Sequence, residues 1–208
     1  MSHEWQDRVT LLSMKEVGEL PNTFTTRVAR VQGVHPRDLY AWLDTGQVLQ
    51  LSRGVYRRAD APLPSYPDFL AIAHRSPVAI ICCVSAAVVH ELTDELPVAV
   101  QIAVPGRSRA PRIDYPPTAA FRFDEARFEV GLSRMEAAPG EWVRIYDAAR
   151  TVVDLMRLRH RFGEPLAHAA LQRYLKRRGA KPASLLEYAD ALDVYGPVRR
   201  AVDIASAG

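Results

Sequence analysis

The sequence has little cysteine: only Cys82 and Cys83 occur among its 208 residues. The two are adjacent, and a disulfide between neighbours would close an unusually strained ring. Both also lie inside an apolar run, VAIICCV. We therefore expect reduced thiols in the core, which excludes a fold held together by disulfides.

Long hydrophobic runs are also missing. The longest, Val78 to Val89, is interrupted by Ser85 and falls short of the roughly 20 residues that cross a membrane. The N-terminus carries Glu4 and Asp7 where an export signal would be basic and then apolar. We expect a cytoplasmic protein with no membrane partner.

The motifs of common enzymes are absent as well. There is no glycine-rich phosphate loop, and HELTD at His90 lacks the second histidine of a zinc protease. Ser85 has no flanking glycine for a nucleophile elbow, so a helix cap is the better interpretation. Asp147 and Asp154 are two turns apart on one predicted helix, which favours a cap and an ion pair with Arg150 over a metal site. We predict no catalytic residues, no metal and no cofactor.

What the chain does contain is an ordinary globular balance, with 48% hydrophobic and 25% charged residues. Its length fits two domains at about 100 to 200 residues each. The net charge of +3 is unevenly spread. Between Arg157 and Lys181, eight basic residues face one acidic residue, a net +7 that leaves the rest of the chain at −4. A structural explanation is that positively charged side chains stabilise the C-terminal end of a helix, where the helix dipole is negative. A functional one is contact with an acidic partner or with DNA phosphates, and the predicted partner-binding residues are Arg173, Lys176, Arg177 and Arg178.

The first sixty residues have the pattern of three short helices and a hairpin. The helices are predicted over Glu4 to Val17, from Thr25 as a cap with Val28 and Val31 facing inward, and from His35–Pro36 onward. The segment VLQLSRGVYRRA then alternates around Ser52, Arg53 and Gly54 as a hairpin. This order is typical of a winged helix-turn-helix, predicted over residues 1–60.

Burial of Leu39, Trp42 and Leu43 in the third helix would turn Arg37 and Tyr40 outward, toward a major groove. The hydroxyls and amides at the start of the second helix, and the arginines of the wing, would contact phosphates or the minor groove. Six arginines against two aspartates between residues 23 and 58 favour DNA over a merely solvated surface. The residues predicted to bind DNA are Thr25, Thr26, Arg27, Arg37, Tyr40, Arg53, Arg57 and Arg58.

The proline-rich APLPSYP marks a boundary near Leu63, with a larger domain over residues 65–208. We predict a helix from Phe69, a strand over VAIICCV ending at Ser85, a helix from Ser85 to Leu92 and a strand over VAVQIAVP. A hairpin over FRFDEARFEV and a strand over WVRIY follow. Helices are predicted from Asp147, from Pro165 to Arg178, from a capping box at Ser184 to Glu187, and from Pro197 to Ala205. The overall fold class is α+β: a winged helix-turn-helix, then a mixed domain with a small β-sheet and a C-terminal helical part.

Taken in order, these segments resemble the AbiEi family of antitoxins and transcriptional regulators. The likeness lies in TFTTRVARVQGVHPRDLYAWLDTGQVLQLSRGVYRR, VSAAVVHELTDELP, VAVQIAVP and RIYDAARTVVDLMR. The resemblance implies a winged helix that represses the antitoxin's own operon and a C-terminal domain that counters a nucleotidyltransferase toxin of the AbiEii kind. The resemblance also implies which residues recognise DNA: Thr25 to Arg27, Arg37, Tyr40 and the Arg53 to Arg58 wing.

Two other functions remain open. One is an antitoxin that modifies its toxin as an atypical kinase or other phosphotransferase; it would use ATP and Mg²⁺, with Asp147 and Asp154 as candidate ligands. The other is a plain transcriptional repressor without a toxin.

Overall fold

The computed structural model describes residues 16–206, and the helix predicted over Glu4 to Val17 lies almost wholly outside them. The described part is α+β, as the sequence predicts. It contains a three-stranded antiparallel sheet, a five-stranded mixed sheet and, in residues 16–206, nine α-helices. Within this range no helix is both long enough and apolar enough to span a bilayer.

The N-terminal unit begins with a 3-10 turn at Val17–Glu19. Its elements are β1 (Thr23–Thr25), α1 (Thr26–Val31), α2 (Pro36–Asp44), β2 (Val48–Ser52) and β3 (Val55–Arg58). The strands lie in the order β1-β3-β2, so β3 is central. Phe24, Leu39, Trp42 and Tyr56 belong to one apolar core under the two helices. This arrangement is consistent with a winged helix-turn-helix.

The C-terminal unit is built on the five-stranded sheet, ordered β6-β5-β4-β8-β7. Its strands are β4 (Ile80–Ile81), β5 (Val100–Pro105), β6 (Thr118–Phe123), β7 (Leu132–Ala138) and β8 (Glu141–Tyr146). Its helices are α3 (Pro67–Arg75), α4 (Cys83–Val89), α5 (Ala148–Arg157), α6 (Arg159–Phe162), α7 (Glu164–Lys176), α8 (Pro182–Ala191) and α9 (Tyr195–Ser206).

Both faces of this sheet are covered. Ile81 points into a core that also holds Phe69 and Leu70 of α3. Ile80 points to the opposite side, where a larger core includes Val152 of α5 and Leu171 of α7. Neighbouring strand residues point to opposite faces, which explains why the strand is apolar at every position rather than at alternate ones. Cys82 and Cys83 are buried free thiols, as expected.

Several predicted elements are wrong in detail. The strand over VAIICCV is only two residues long, because α4 already begins at Cys83. The predicted FRFDEARFEV hairpin does not form: β6 pairs in parallel with β5, and a 3-10 turn follows at Glu125–Arg127. The capping box at Ser184 is absent because α8 starts earlier, with Pro182 in its first turn. Val31 is 79% exposed rather than inward, and Ala29 takes the core position instead.

The two units are fastened to each other by a continuous interface. Helix α3 packs against all three strands of the N-terminal sheet, and Leu51 of β2 contacts the core around Ile81. The Ser52 hydroxyl donates to the Tyr115 carbonyl. The Arg75 guanidinium donates to the carbonyls of Arg53 and Arg112, each at 3.1 Å. The hairpin tip is thereby held against the segment that precedes β6.

Candidate nucleic-acid interface

Helix α2 presents a polar face to solvent. His35 caps it, with Nδ1 accepting from the Arg37 N–H at 3.2 Å, and Pro36 occupies its first turn. Leu39 and Trp42 are 4% and 7% exposed, whereas Tyr40 is 64% exposed. Arg37, Ala41 and Asp44 are exposed on the same side as Tyr40. The predicted outward orientation of this stripe is confirmed, and its shape is that of a helix able to enter a major groove.

The start of α1 lies beside the hairpin turn. Thr25 is the cap residue, its hydroxyl accepting from the Val28 N–H at 3.2 Å. The Thr26 N–H donates to the Gly54 carbonyl at 3.0 Å, which ties α1 to the turn between β2 and β3. Arg27 is exposed and forms no ion pair with any described residue. Of these three predicted contacts, only Arg27 offers an unoccupied charged group.

The hairpin forms as predicted, with Gly54 in its turn at a φ of +77°. Such a backbone angle favours glycine, since a Cβ would be strained there. Arg53 is exposed at the tip. Arg58 is only partly exposed, and its guanidinium donates to Asp60 and to the carbonyls of Gly18 and Leu20. Arg53 is therefore the wing arginine best placed to contact a partner.

Arg57 is a correction to the predicted site. It is 2% exposed, and its guanidinium donates to Thr23, to Glu141 of β8 and to the Pro62 carbonyl. The physical reason is that β3 is the central strand: Tyr56 faces the N-terminal core, so Arg57 faces the C-terminal unit. Arg57 joins the two units and is not part of the exposed face.

The predicted partner-binding cations lie along the end of α7 and the turn after it. Arg173, Lys176, Arg177 and Arg178 are all exposed. Arg173 forms an ion pair with Asp94, an exposed pair of small energetic value. Arg177 donates to the His90 carbonyl at 3.3 Å. Arg173, Lys176 and Arg177 border one depression beside His90, whereas Arg178 lines the neighbouring one with Arg177, and their role in partner binding stays a prediction.

The groups considered for catalysis have structural partners. The Ser85 hydroxyl accepts from the Gln101 N–H at 2.9 Å and lies inside α4, so Ser85 is not the helix cap we expected. His90 Nε2 is 2.7 Å from the Tyr146 carbonyl, and burial lowers the pKa of this imidazole. No cluster of three or more potential metal ligands occurs within residues 16–206.

Asp147 and Asp154 behave as predicted. Asp147 caps α5, with Oδ1 accepting from the Arg150 N–H at 2.8 Å. Asp154 is fully buried and pairs with Arg150 at 2.9 Å and Arg157 at 2.8 Å. Burial raises the pKa of Asp154, and the two guanidinium groups oppose that effect. Both carboxylates are thus committed to the fold.

The fold of the N-terminal unit is consistent with a winged helix-turn-helix, and the polar face of α2 is exposed on its surface. Comparison of the sequence with known families gives a narrower class. Residues 14–59 match the family described as "Transcriptional regulator, AbiEi antitoxin". The resemblance to the AbiEi family is confirmed by this match, which covers the N-terminal unit and supports a transcriptional regulator or antitoxin of a toxin-antitoxin system.

Other comparisons add little. No curated protein matches the chain. Among solved structures, the chain is similar to the RV2827C protein from Mycobacterium tuberculosis, at 16% sequence identity and a TM-score of 0.49. That likeness covers 89% of this chain and 76% of the other. It is too distant to carry a functional inference.

Proposed function

We propose that the protein is an antitoxin that represses its own operon through the N-terminal unit and neutralises a nucleotidyltransferase toxin through the C-terminal unit. The observation that carries the DNA-binding half is the exposed face of α2. Arg37 and Tyr40 project from it while Leu39 and Trp42 are buried beneath. A surface helix that is held by a packed inner face, in a unit that also exposes Arg27 and Arg53, suits groove binding.

The roles of the exposed residues differ. An arginine that donates two hydrogen bonds to a guanine edge discriminates that base by about 1–3 kcal/mol. Arg37 lies in the first turn of α2, the part of a recognition helix that contacts base edges. Arg27 in α1 and Arg53 at the hairpin tip are exposed outside α2 and would contact phosphates, which fixes orientation without reading sequence. Tyr40 would contact bases or sugars one turn further along.

The test is fluorescence anisotropy with a duplex from the promoter upstream of the gene, at several salt concentrations. We expect Arg37→Ala combined with Arg53→Ala to remove specific binding. Arg122→Ala combined with Arg134→Ala is the matched control, because both residues are exposed on the C-terminal sheet and neither is paired within residues 16–206. A duplex that binds the double variant as tightly as the unchanged protein would refute the DNA-binding proposal.

The toxin-binding half rests on the family match and on the exposed cations of α7. Co-expression with the neighbouring gene product tests it: an antitoxin co-purifies with its toxin and restores growth, whereas a plain repressor does neither. The Arg37/Arg53 double variant should still neutralise the toxin. Loss of both activities in a folded variant would contradict two separable functions.

Masking and modification of the toxin are distinguished with labelled ATP. A masking antitoxin transfers no label to the partner, while a phosphotransferase does. The geometry favours masking, because the two carboxylates considered for Mg²⁺ are occupied: Asp147 as a helix cap and Asp154 in a buried ion pair. A cytoplasmic location stays a prediction from the sequence.

A further inference from the structure

A polar cavity lies in the C-terminal unit, away from the predicted DNA face. It is a shallow cavity, open to solvent, with a volume of about 330 Å³, and it is bordered by the starts of α5 and α8 and by the turn between α7 and α8. We call it the α7–α8 cavity. Its lining includes Asp147, Arg177, Arg178, Lys181, Ser184 and Tyr188. Two of the predicted partner-binding cations, Arg177 and Arg178, lie on its border, but the proposed function assigns no ligand to the cavity itself.

The charge around the cavity is net positive. Arg177, Arg178 and Lys181 line it, and among its described lining residues Asp147 is the one carboxylate. Both oxygens of Asp147 are already occupied: Oδ1 by the Arg150 N–H at 2.8 Å and Oδ2 by the Tyr188 hydroxyl at 2.9 Å. The side chains of Arg178 and Lys181 have no acidic partner within residues 16–206. Three cations against one carboxylate give a net positive potential, which attracts an anionic ligand.

The turn that carries these cations is held in place. The Tyr174 hydroxyl accepts from the Lys181 N–H at 3.2 Å and donates to the Lys181 carbonyl at 3.3 Å. The rest of Tyr174 is buried, at 6% exposure. Gly179 turns the chain at a φ of +80°, which a side chain would strain. A fixed backbone reduces the entropy lost when a ligand binds.

Hydroxyl groups complete the lining. The Ser184 side chain borders the cavity, as does the phenol of Tyr188. Burial, followed by the hydrogen bond to Asp147, raises the pKa of Tyr188 to about 12, and the single O–H of this phenol donates to Asp147. Planar guanidinium groups match the oxygen geometry of phosphate, and lysine adds a compact charge. The cavity volume is at the small end of ligand sites, which run from about 300 to 1,000 Å³.

We propose that the α7–α8 cavity binds the phosphate group of a small phosphate ester no larger than a mononucleotide. Arg178 and Lys181 hold the phosphate oxygens, Arg177 flanks them, and the Ser184 hydroxyl donates to the ester. The site is separate from the operator-binding face and does not depend on the proposed function.

Isothermal titration calorimetry on the full chain tests the site, with inorganic phosphate, adenosine 5′-monophosphate and adenosine as probes. We expect single-site binding of the first two and none of adenosine. Arg178→Gln combined with Lys181→Gln should weaken binding at least tenfold. The control, Arg122→Gln combined with Arg134→Gln, removes the same charge from the two edge strands of the sheet, β6 and β7, outside the cavity lining, and should leave binding unchanged.

Three results would overturn the proposal: no binding of phosphate or of the monophosphate, equal binding of adenosine, or equal weakening in the control. Binding to operator DNA tests whether the phosphate that these cations hold belongs to a small molecule or to the DNA backbone. The Arg178/Lys181 double variant should bind the operator duplex as the unchanged protein does. A tenfold loss there would mean that these cations contact the DNA backbone, and the small-ligand site would be refuted while the proposed DNA-binding function stood.

Discussion

Replacing Arg57 by methionine separates a structural role from a DNA-binding one. Methionine keeps the apolar stem but removes a guanidinium that contacts Thr23, Glu141 and the Pro62 carbonyl. The two side chains of the Arg57–Glu141 pair are 3% and 18% exposed. Losing one partner of a fully buried pair costs about 3–5 kcal/mol. Because water reaches part of Glu141, we expect a smaller loss, about 2–3 kcal/mol of unfolding free energy.

Urea denaturation measures that loss. Arg199→Met is the matched control: Arg199 pairs with Asp203, but the two side chains are 50% and 58% exposed, so the expected cost is below about 1 kcal/mol. Equal stability of the Arg57 and Arg199 variants would contradict the assignment of Arg57 as a buried fastening between the units.

The salt dependence of DNA affinity tests whether Arg53 and Arg57 contact DNA phosphates. Each phosphate contact contributes about −0.9 to the slope of log affinity against log salt. Arg53 is exposed at the wing tip, so Arg53→Gln should make the slope shallower by about one contact. Arg57→Met should leave it unchanged, measured at a temperature where the variant is folded. A shallower slope in both variants would mean that Arg57 also contacts DNA phosphates, against the assignment that follows from its burial.

Three further predictions concern the C-terminal unit. Arg150→Met should cost about 3–5 kcal/mol of unfolding free energy in urea, because it leaves fully buried Asp154 with Arg157 as its one remaining ion-pair partner and removes the donor to the carbonyls of Arg127 and Val130; a cost like that of Arg199→Met would contradict this. Gly131→Ala should destabilise by about 1–3 kcal/mol, since its φ is +71° and a Cβ would lie 2.4 Å from the Arg150 Cβ; an unchanged denaturation midpoint would refute the clash. Tyr188 has a pKa raised from 10.0 to about 12, so its stabilising contribution is present below pH 10 and lost as pH rises toward 12; a denaturation series over that range should show a shallower decline in Tyr188→Phe.

The elements that the sequence predicted well are those with local signals. Helix α2 combines a cap at His35, proline in its first turn and apolar residues at helical spacing. Helix α5 has Asp147 as its cap, and Ala149, Val152, Val153 and Met156, which recur at helical spacing in the sequence, are buried. These features depend on neighbours within about two turns, so they can be read from the chain itself.

The elements that were predicted wrongly depend on distant partners. FRFDEARFEV has turn residues between two apolar segments, yet β6 pairs with β5. Its Phe121 and Phe123 pack instead against Phe162 and Tyr146, contributed by later parts of the chain. Strand pairing is decided by such long-range burial, which a local pattern does not contain.

The site residues were also predicted well where the local sequence determines their exposure and wrongly where a distant residue does. Arg37 and Tyr40 are exposed as expected because helix periodicity fixes which face is buried. Arg57 was misassigned because its burial depends on Glu141, a residue far along the chain. The α7–α8 cavity was missed for a similar reason: Arg178 and Lys181 were visible as charge, but only the fold places Tyr188 and Ser184 opposite them.

The hydrogen bonds of Arg75 and Ser52 have a thermodynamic consequence. They connect the tip of the wing to the segment around Arg112 and Tyr115. A toxin that displaced this segment on binding would alter the energy of the wing, and so the affinity for the operator. Linkage is reciprocal: the operator would then change the affinity for the toxin by the same factor. Repression of the operon would in that case report how much toxin is free.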